Sequence, residues 1–208
     1  MSEFSLIETL RYEPNVGFIR LNLHLTRIAR SARLIGFPGT EQVSSLLSEA
    51  VRNASECLRV RVAFNAKGQV DITTASLMPM SPDVTWTARI ATTRLLSADR
   101  LLRIKTTRRA VYEQARAEYT LQEADEVIML NERGEICEGT ITSVFLDDGS
   151  GVLRTPPISC GLLAGVLRAD LIRQCKAKVA YINLDDIKMG TLFVGNSLRG
   201  LIRTNLKQ

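Results

Sequence analysis

The chain has 208 residues, 45% of them hydrophobic, enough to bury a substantial core in one large domain or two small ones. Its net charge of +5 rests on arginine, and with 5% aromatic residues and no zinc or RNA-binding signature no nucleic-acid partner is expected. No stretch approaches the roughly 18 to 20 apolar residues that span a bilayer, and Met1-Ser2-Glu3-Phe4 lacks a basic segment followed by an apolar one, so a cytoplasmic protein with no membrane partner is expected.

In chain order, Leu6 to Arg11 and Phe18 to Arg20 read as short strands around a Pro- and Gly-punctuated turn at Glu13 to Gly17. Leu21, Leu25, Ile28, Ala32 and Ile35 recur at helical spacing and stop at Gly36 and Pro38. A second helix follows Thr40 as N-cap, with Val43, Leu46, Leu47, Ala50, Val51 and Ala54 as its apolar stripe. The period then changes to two: Leu58, Val60, Val62 and Phe64 alternate with polar or small residues, and a turn at Asn65 to Gly68 leads to Val70 and Ile72. Two prolines in Met78 to Asp83 mark the boundary between a first lobe, residues 1–80, and a second, residues 84–208.

The second lobe opens with a β-prone run from Val84 to Leu96 and a helix from about Thr107 to Tyr119. Strands follow at Val127 to Leu130, Glu135 to Cys137, Ile141 to Leu146 and Val152 to Arg154, joined by short turns. A helix after Gly161 to Gly165 carries Val166, Leu167, Leu171, Ile172 and Cys175, and Leu192 to Val194 forms a strand that breaks at Gly195-Asn196-Ser197. Hairpins mixed with helices, without regular βαβ alternation, favour an α+β fold or a barrel-like α/β lobe.

Chemistry is confined by what is scarce. His24 is the single histidine, and Cys57, Cys137, Cys160 and Cys175 are scattered, so no metal site is expected and Ser-His or Cys-His hydrolysis is improbable. The glycines of Gly161 to Gly165 precede a helix, where open N–H groups and the positive end of the dipole suit a phosphate. Lys105 stands among Arg100, Arg103, Arg108 and Arg109; lysine, unlike arginine, can lose its proton beside other cations and form an imine. Glu138 ends a short strand, and a carboxylate there could face a pyridine nitrogen. Taken singly, each also fits a plainer role: tight-turn glycines, a solvated lysine, a turn-flanking acid.

Read together, the segments resemble the class IV aminotransferase family of pyridoxal phosphate (PLP) enzymes, which includes branched-chain and D-amino acid aminotransferases and aminodeoxychorismate lyase. Glu8-Thr9-Leu10-Arg11, His24-Leu25-Thr26-Arg27 with Ser31-Ala32 and Leu34-Ile35-Gly36-Phe37, and Lys105-Thr106-Thr107 with Arg109 and Tyr112 carry the resemblance. So do Ala124-Asp125-Glu126, Leu130-Asn131, Glu138-Gly139-Thr140, Gly161 to Val166 and Asn196 to Leu201. The resemblance implies the two-lobed PLP fold type IV, with a small N-terminal lobe and a larger barrel-like lobe carrying the lysine. It implies that Lys105 holds PLP as a Schiff base and shuttles the substrate proton, that Glu138 pairs with the pyridine nitrogen, and that Arg27 contacts the phosphate. Val166, Leu167, Asn196 and Ser197 would complete the phosphate cup. Tyr112 fits a buried helix-face tyrosine as well as a ligand contact.

Three departures stand out: little sequence precedes the E-T-L-R segment, Ser143 replaces an asparagine, and Leu167 replaces a phosphate-binding threonine. The last resembles the lyase branch. The expected enzyme is therefore a lyase that converts 4-amino-4-deoxychorismate, an anionic amino substrate, to pyruvate and 4-aminobenzoate. A branched-chain or D-amino acid transaminase is the rival, and a basic binding protein that kept the fold without activity is the third possibility. A homodimer is expected by resemblance.

Overall fold

Period-two patterning builds the first sheet of the computed structural model, which describes residues 4–207; the reading of Met1, Ser2 and Glu3 lies outside the described residues. β1 (Leu6–Glu13) turns through Gly17, at a φ of +90° that favours glycine, into the short β2 (Gly17–Phe18). β3 (Leu58–Phe64) buries Leu58, Val60, Val62 and Phe64 on one face and pairs antiparallel with β1 and with β4 (Val70–Ser76), giving the order β2-β1-β3-β4. α1 (Leu21–Ile35) buries His24, Ile28, Ser31 and Ala32, packs on β1 and ends at Gly36 in the left-handed region. α2 (Gln42–Ala50) packs on β4. Thr40 is not its cap. The Thr40 carbonyl closes a turn with the Val43 N–H, so Glu41 stands at the helix start without a side-chain cap, and the stripe thins to Val43, Leu47 and Val51.

In the second sheet, β5 (Thr85–Leu95), β6 (Glu126–Asn131), β7 (Ile136–Gly139), β8 (Ser143–Asp147) and β9 (Leu153–Thr155) are joined by β10 (Ala177–Val179), β11 (Thr191–Asn196) and β12 (Gly200–Leu206). Their order is β10-β9-β8-β11-β12-β5-β6-β7, with β5 parallel to both β6 and β12. A further pairing of Glu138 with Ser143 joins β7 to β8 and closes six strands into a ring. β6 is buried on both faces, Ile128 and Leu130 entering one apolar cluster and Val127 and Met129 another, so it reads as an uninterrupted apolar run. Three helices accompany the ring: α3 (Ala110–Arg116), α4 (Val166–Arg173) and α5 (Leu184–Met189).

The chain divides into two compact units, Met1–Pro79 with Ile104–Arg108, and Met80–Arg103 with Arg109–Gln208. Lys105 thus belongs to the first unit, which corrects its expected place on the larger lobe. Backbone pairing with β1 decides the matter: Thr106 bridges Leu6, the Ile7 N–H donates to the Lys105 carbonyl at 2.9 Å, and the Thr107 N–H donates to Ser5 O at 2.9 Å. The same extended stretch delays α3 to Ala110, three residues beyond the expected start. All four cysteines are free thiols, Cys137 and Cys160 buried and Cys175 exposed. Among the described residues no helix is long and apolar enough to cross a membrane.

Candidate active site

In the first unit β1 supplies Glu8 and α1 supplies His24 and Arg27, one turn apart on the same helix face. Arg27 grips Glu8 with two parallel bonds, Nε to Oε1 at 2.7 Å and Nη2 to Oε2 at 2.6 Å, and the His24 Nδ1–H donates to Oε2 at 2.6 Å. Burial pushes the Glu8 carboxyl up, but Arg27 and the hydrogen bonds from Arg27 and His24 outweigh it and bring it down to about 2. Burial also holds His24 below the ordinary imidazole value, against the pull of Glu8, with Arg27 and Lys105 lowering it further. His24 is therefore neutral, its proton on Nδ1, and the charged pair is Glu8 with Arg27. Lys105 is half-buried next to this triad, its carbonyl bonded to the Ile7 N–H and its charge felt by His24.

In the second unit Glu138 lies at the β7–β8 seam, 5% exposed, and its Oε1 accepts from the Tyr112 hydroxyl at 2.7 Å and the Leu163 N–H at 3.1 Å. Burial, then the neighbouring Glu138, push the Tyr112 phenol far above its ordinary value, so Tyr112 keeps its proton and donates it. The Arg109 guanidinium stacks on the Tyr112 ring, 4.6 Å from its centroid, and donates to the Thr140 carbonyl. Arg168, buried at 4% exposure, donates to Pro156 O at 2.8 Å, and Glu138 acts on its charge.

The candidate phosphate cup gathers around the same seam. A Cβ on Gly165 would lie 2.5 Å from Ser143 Oγ, and one on Gly195 would lie 2.9 Å from Leu167 Cδ2, so the start of α4, β8 and the turn after β11 press together where only glycine fits. The Leu167 side chain packs with Phe145, Leu171 and Ala177, which leaves only its backbone N–H for an anion. Asn196 is committed within the turn: its Nδ2 donates to Ile141 O, and its Oδ1 accepts from the Leu198 and Arg199 N–H groups. Ser197 is buried beside it.

Each sequence-derived site residue thus falls in one of two clusters, Arg27 and Lys105 in the first unit, and Glu138, Val166, Leu167, Asn196 and Ser197 in the second. By type of group each cluster suits part of PLP: the first offers an amine for an aldehyde and a guanidinium for a phosphate, the second open helix N–H groups for a phosphate and a carboxylate for a pyridine nitrogen. Sequence reasoning did not single out Glu8, His24, Arg109 or Glu126, whose roles depend on partners distant along the chain. The signal available was their place as letters of the quoted motifs, which gave them no role.

A family model described as amino-transferase class IV matches residues 5–205. The chain belongs to the class IV aminotransferase family. Members of that family are PLP-dependent enzymes, both aminotransferases and lyases. Among class IV relatives, a Schizosaccharomyces pombe protein assigned as an aminodeoxychorismate lyase is 28% identical over 177 residues, 83% of this chain and 74% of that one. A Thermotoga maritima protein assigned as a branched-chain-amino-acid aminotransferase is 28% identical over 180 residues, 83% of this chain and 64% of that one. The crystal structure of a Mesorhizobium loti protein assigned as an amino-acid aminotransferase is 47% identical, with a TM-score of 0.95 over 98% of this chain and 100% of that one.

Proposed function

We propose that this class IV protein binds PLP and acts on 4-amino-4-deoxychorismate as a lyase, releasing pyruvate and leaving 4-aminobenzoate. The observation that carries the reading is the buried Glu138 carboxylate set beside the start of α4, a pyridine-nitrogen acceptor next to a phosphate site. When bound, PLP supplies an electron sink for carbanion chemistry next to the substrate amine. Lys105 provides the amine that fixes the cofactor and, once the substrate amine displaces it, the base that removes the substrate proton. Glu138 keeps a proton on the pyridine nitrogen. Arg27, oriented by Glu8, offers a phosphate its guanidinium; in the second unit the backbone N–H groups of Val166 and Leu167, with the Asn196–Ser197 turn, offer a phosphate a cup. Arg108, exposed three residues after Lys105, suits a dianionic substrate.

Leu167 supports the lyase over the transaminase reading by resemblance, since it stands where many of the aminotransferases have a phosphate-binding threonine and its buried side chain offers no hydroxyl. A transaminase remains the second reading, favoured by the 47% identity to the Mesorhizobium loti protein. Incubation of the PLP-loaded protein with aminodeoxychorismate and no amino acceptor separates the two: the lyase releases pyruvate stoichiometric with 4-aminobenzoate, whereas strict dependence on a keto acid overturns it. The proposal includes a cytoplasmic location and a homodimer, and light scattering of the purified protein checks the dimer.

A further inference from the structure

Glu138 is useful to a pyridine nitrogen only if its carboxylate is charged and held in one plane. A flexible acid side chain at a strand end has neither property by itself, and a buried carboxylate is costly to ionise without donors. Two donors converge on Oε1, the Tyr112 hydroxyl at 2.7 Å and the Leu163 N–H at 3.1 Å. The hydroxyl comes from α3, 26 residues away in sequence, and it is itself fixed: Tyr112 is 9% exposed, packs with Ala91, Leu95, Ala115 and Cys137, and has the Arg109 guanidinium stacked on its ring. Arg109 is anchored in turn on the Thr140 carbonyl, two residues past Glu138, so the ring, the cation and the acid form one closed loop of contacts.

We infer that Tyr112 is the positioning residue for Glu138: its hydroxyl orients the carboxylate and keeps it ionised, and so sets how strongly this site holds a protonated pyridine nitrogen. The assignment rests on the PLP reading and extends it to a residue that acts through the acid. A donor to a carboxylate stabilises the charged form, and burial next to that carboxylate makes the phenol a permanent donor rather than a titrating group.

The probes are PLP and its 1-deaza analogue, which has carbon in place of the ring nitrogen, each titrated into the full-length chain by absorbance. In Tyr112→Phe the PLP dissociation constant rises about tenfold and that of the deaza analogue changes by less than about twofold, because one charge-assisted hydrogen bond is lost only where the nitrogen uses it. Adding Tyr112→Phe to Glu138→Gln has no further effect on PLP. Equal losses for both ligands, or none for either, overturn the assignment. If the phenylalanine variant does not fold, 3-fluorotyrosine at position 112 keeps the hydroxyl, and its fluorine resonance moves on adding PLP but stays in place with the deaza analogue. Identical responses to the two overturn the proposal. A wild-type chain that binds neither ligand is a separate result: it overturns the PLP reading, and the role of Tyr112 with it.

Discussion

Glu8 shows how one buried acid fixes a cation, Arg27, that is proposed to hold a phosphate. It accepts three hydrogen bonds from Arg27 and His24, and without it the His24 Nδ1–H and two N–H groups of a part-buried guanidinium would lose this acceptor. Glu8→Gln therefore destabilises the protein by about 3 kcal/mol, the scale for breaking a buried pair from one side, and weakens phosphate and PLP binding because Arg27 is no longer aimed. Both depressed groups also predict the pH dependence. An unfolded chain protonates a histidine near the ordinary value of 6.5 and a glutamate near 4.5, whereas folded His24 lies below that ordinary value and folded Glu8 is held at about 2. The unfolded state then binds more protons, so stability is complete above about pH 6.5, starts to fall below it through His24, and falls more steeply below about pH 4.5 through Glu8. The Glu8 contribution is about 3 kcal/mol when fully expressed. Urea midpoints measured from pH 8 to pH 3 check this, and in Glu8→Gln the limb below pH 4.5 flattens.

At the scale of elements, the β7–β8 connection depends on a second buried acid. Glu126, fully buried at the start of β6, accepts from Thr140 N at 2.9 Å, Thr140 Oγ1 at 2.5 Å, Ile141 N at 3.2 Å and Thr142 Oγ1 at 2.8 Å. The turn it holds joins Glu138 to its seam partner Ser143, and Gly139 within it lies so close that a Cβ would be 2.7 Å from the Glu126 carboxyl. Glu126→Ala takes the acceptor from the Ile141 N–H and the Thr140 and Thr142 hydroxyls, while the Thr140 N–H keeps the Val127 carbonyl at 3.1 Å, and is expected to cost about 3 kcal/mol or more, with loss of the Glu138–Ser143 pairing. Amide hydrogen exchange at residues 139–143 reads that loss directly: protection falls there first, while β3 keeps its own. Protection retained across the turn would mean that the strands close the ring unaided.

At the scale of the molecule, legibility follows the range of the interactions. α1 and β3 could be read because their apolar spacing and the glycine stop at Gly36 are local, and the family motifs located Lys105 and Glu138. β10, α5 and β12 were not read. β10 has three residues and exists through its parallel pairing with β9; β12 alternates a buried Ile202 with a buried but polar Thr204 and lies parallel to the distant β5. The cap of α5 was legible in principle, since Asn183 and Asp186 form a reciprocal capping box. Least legible was the membership of Lys105, because the chain leaves the first unit at Pro79 and returns only for Ile104–Arg108. That return has a measurable consequence. The segment makes backbone bonds with Ile7 of β1 and with Ser5 just before it, and the Ser5 N–H donates to Thr107 Oγ1, together worth about 3 kcal/mol at about 1 kcal/mol each. A small unit has a stability of only about 5 kcal/mol or so to lose. The fragment 1–79 alone is therefore expected to show no cooperative thermal transition by circular dichroism, and the same fragment with residues 104–108 appended through a flexible linker to regain one. Two-state melting of 1–79 by itself would show that the lysine segment docks on a unit already formed, so that the position of Lys105 could be changed without cost to the sheet beneath it.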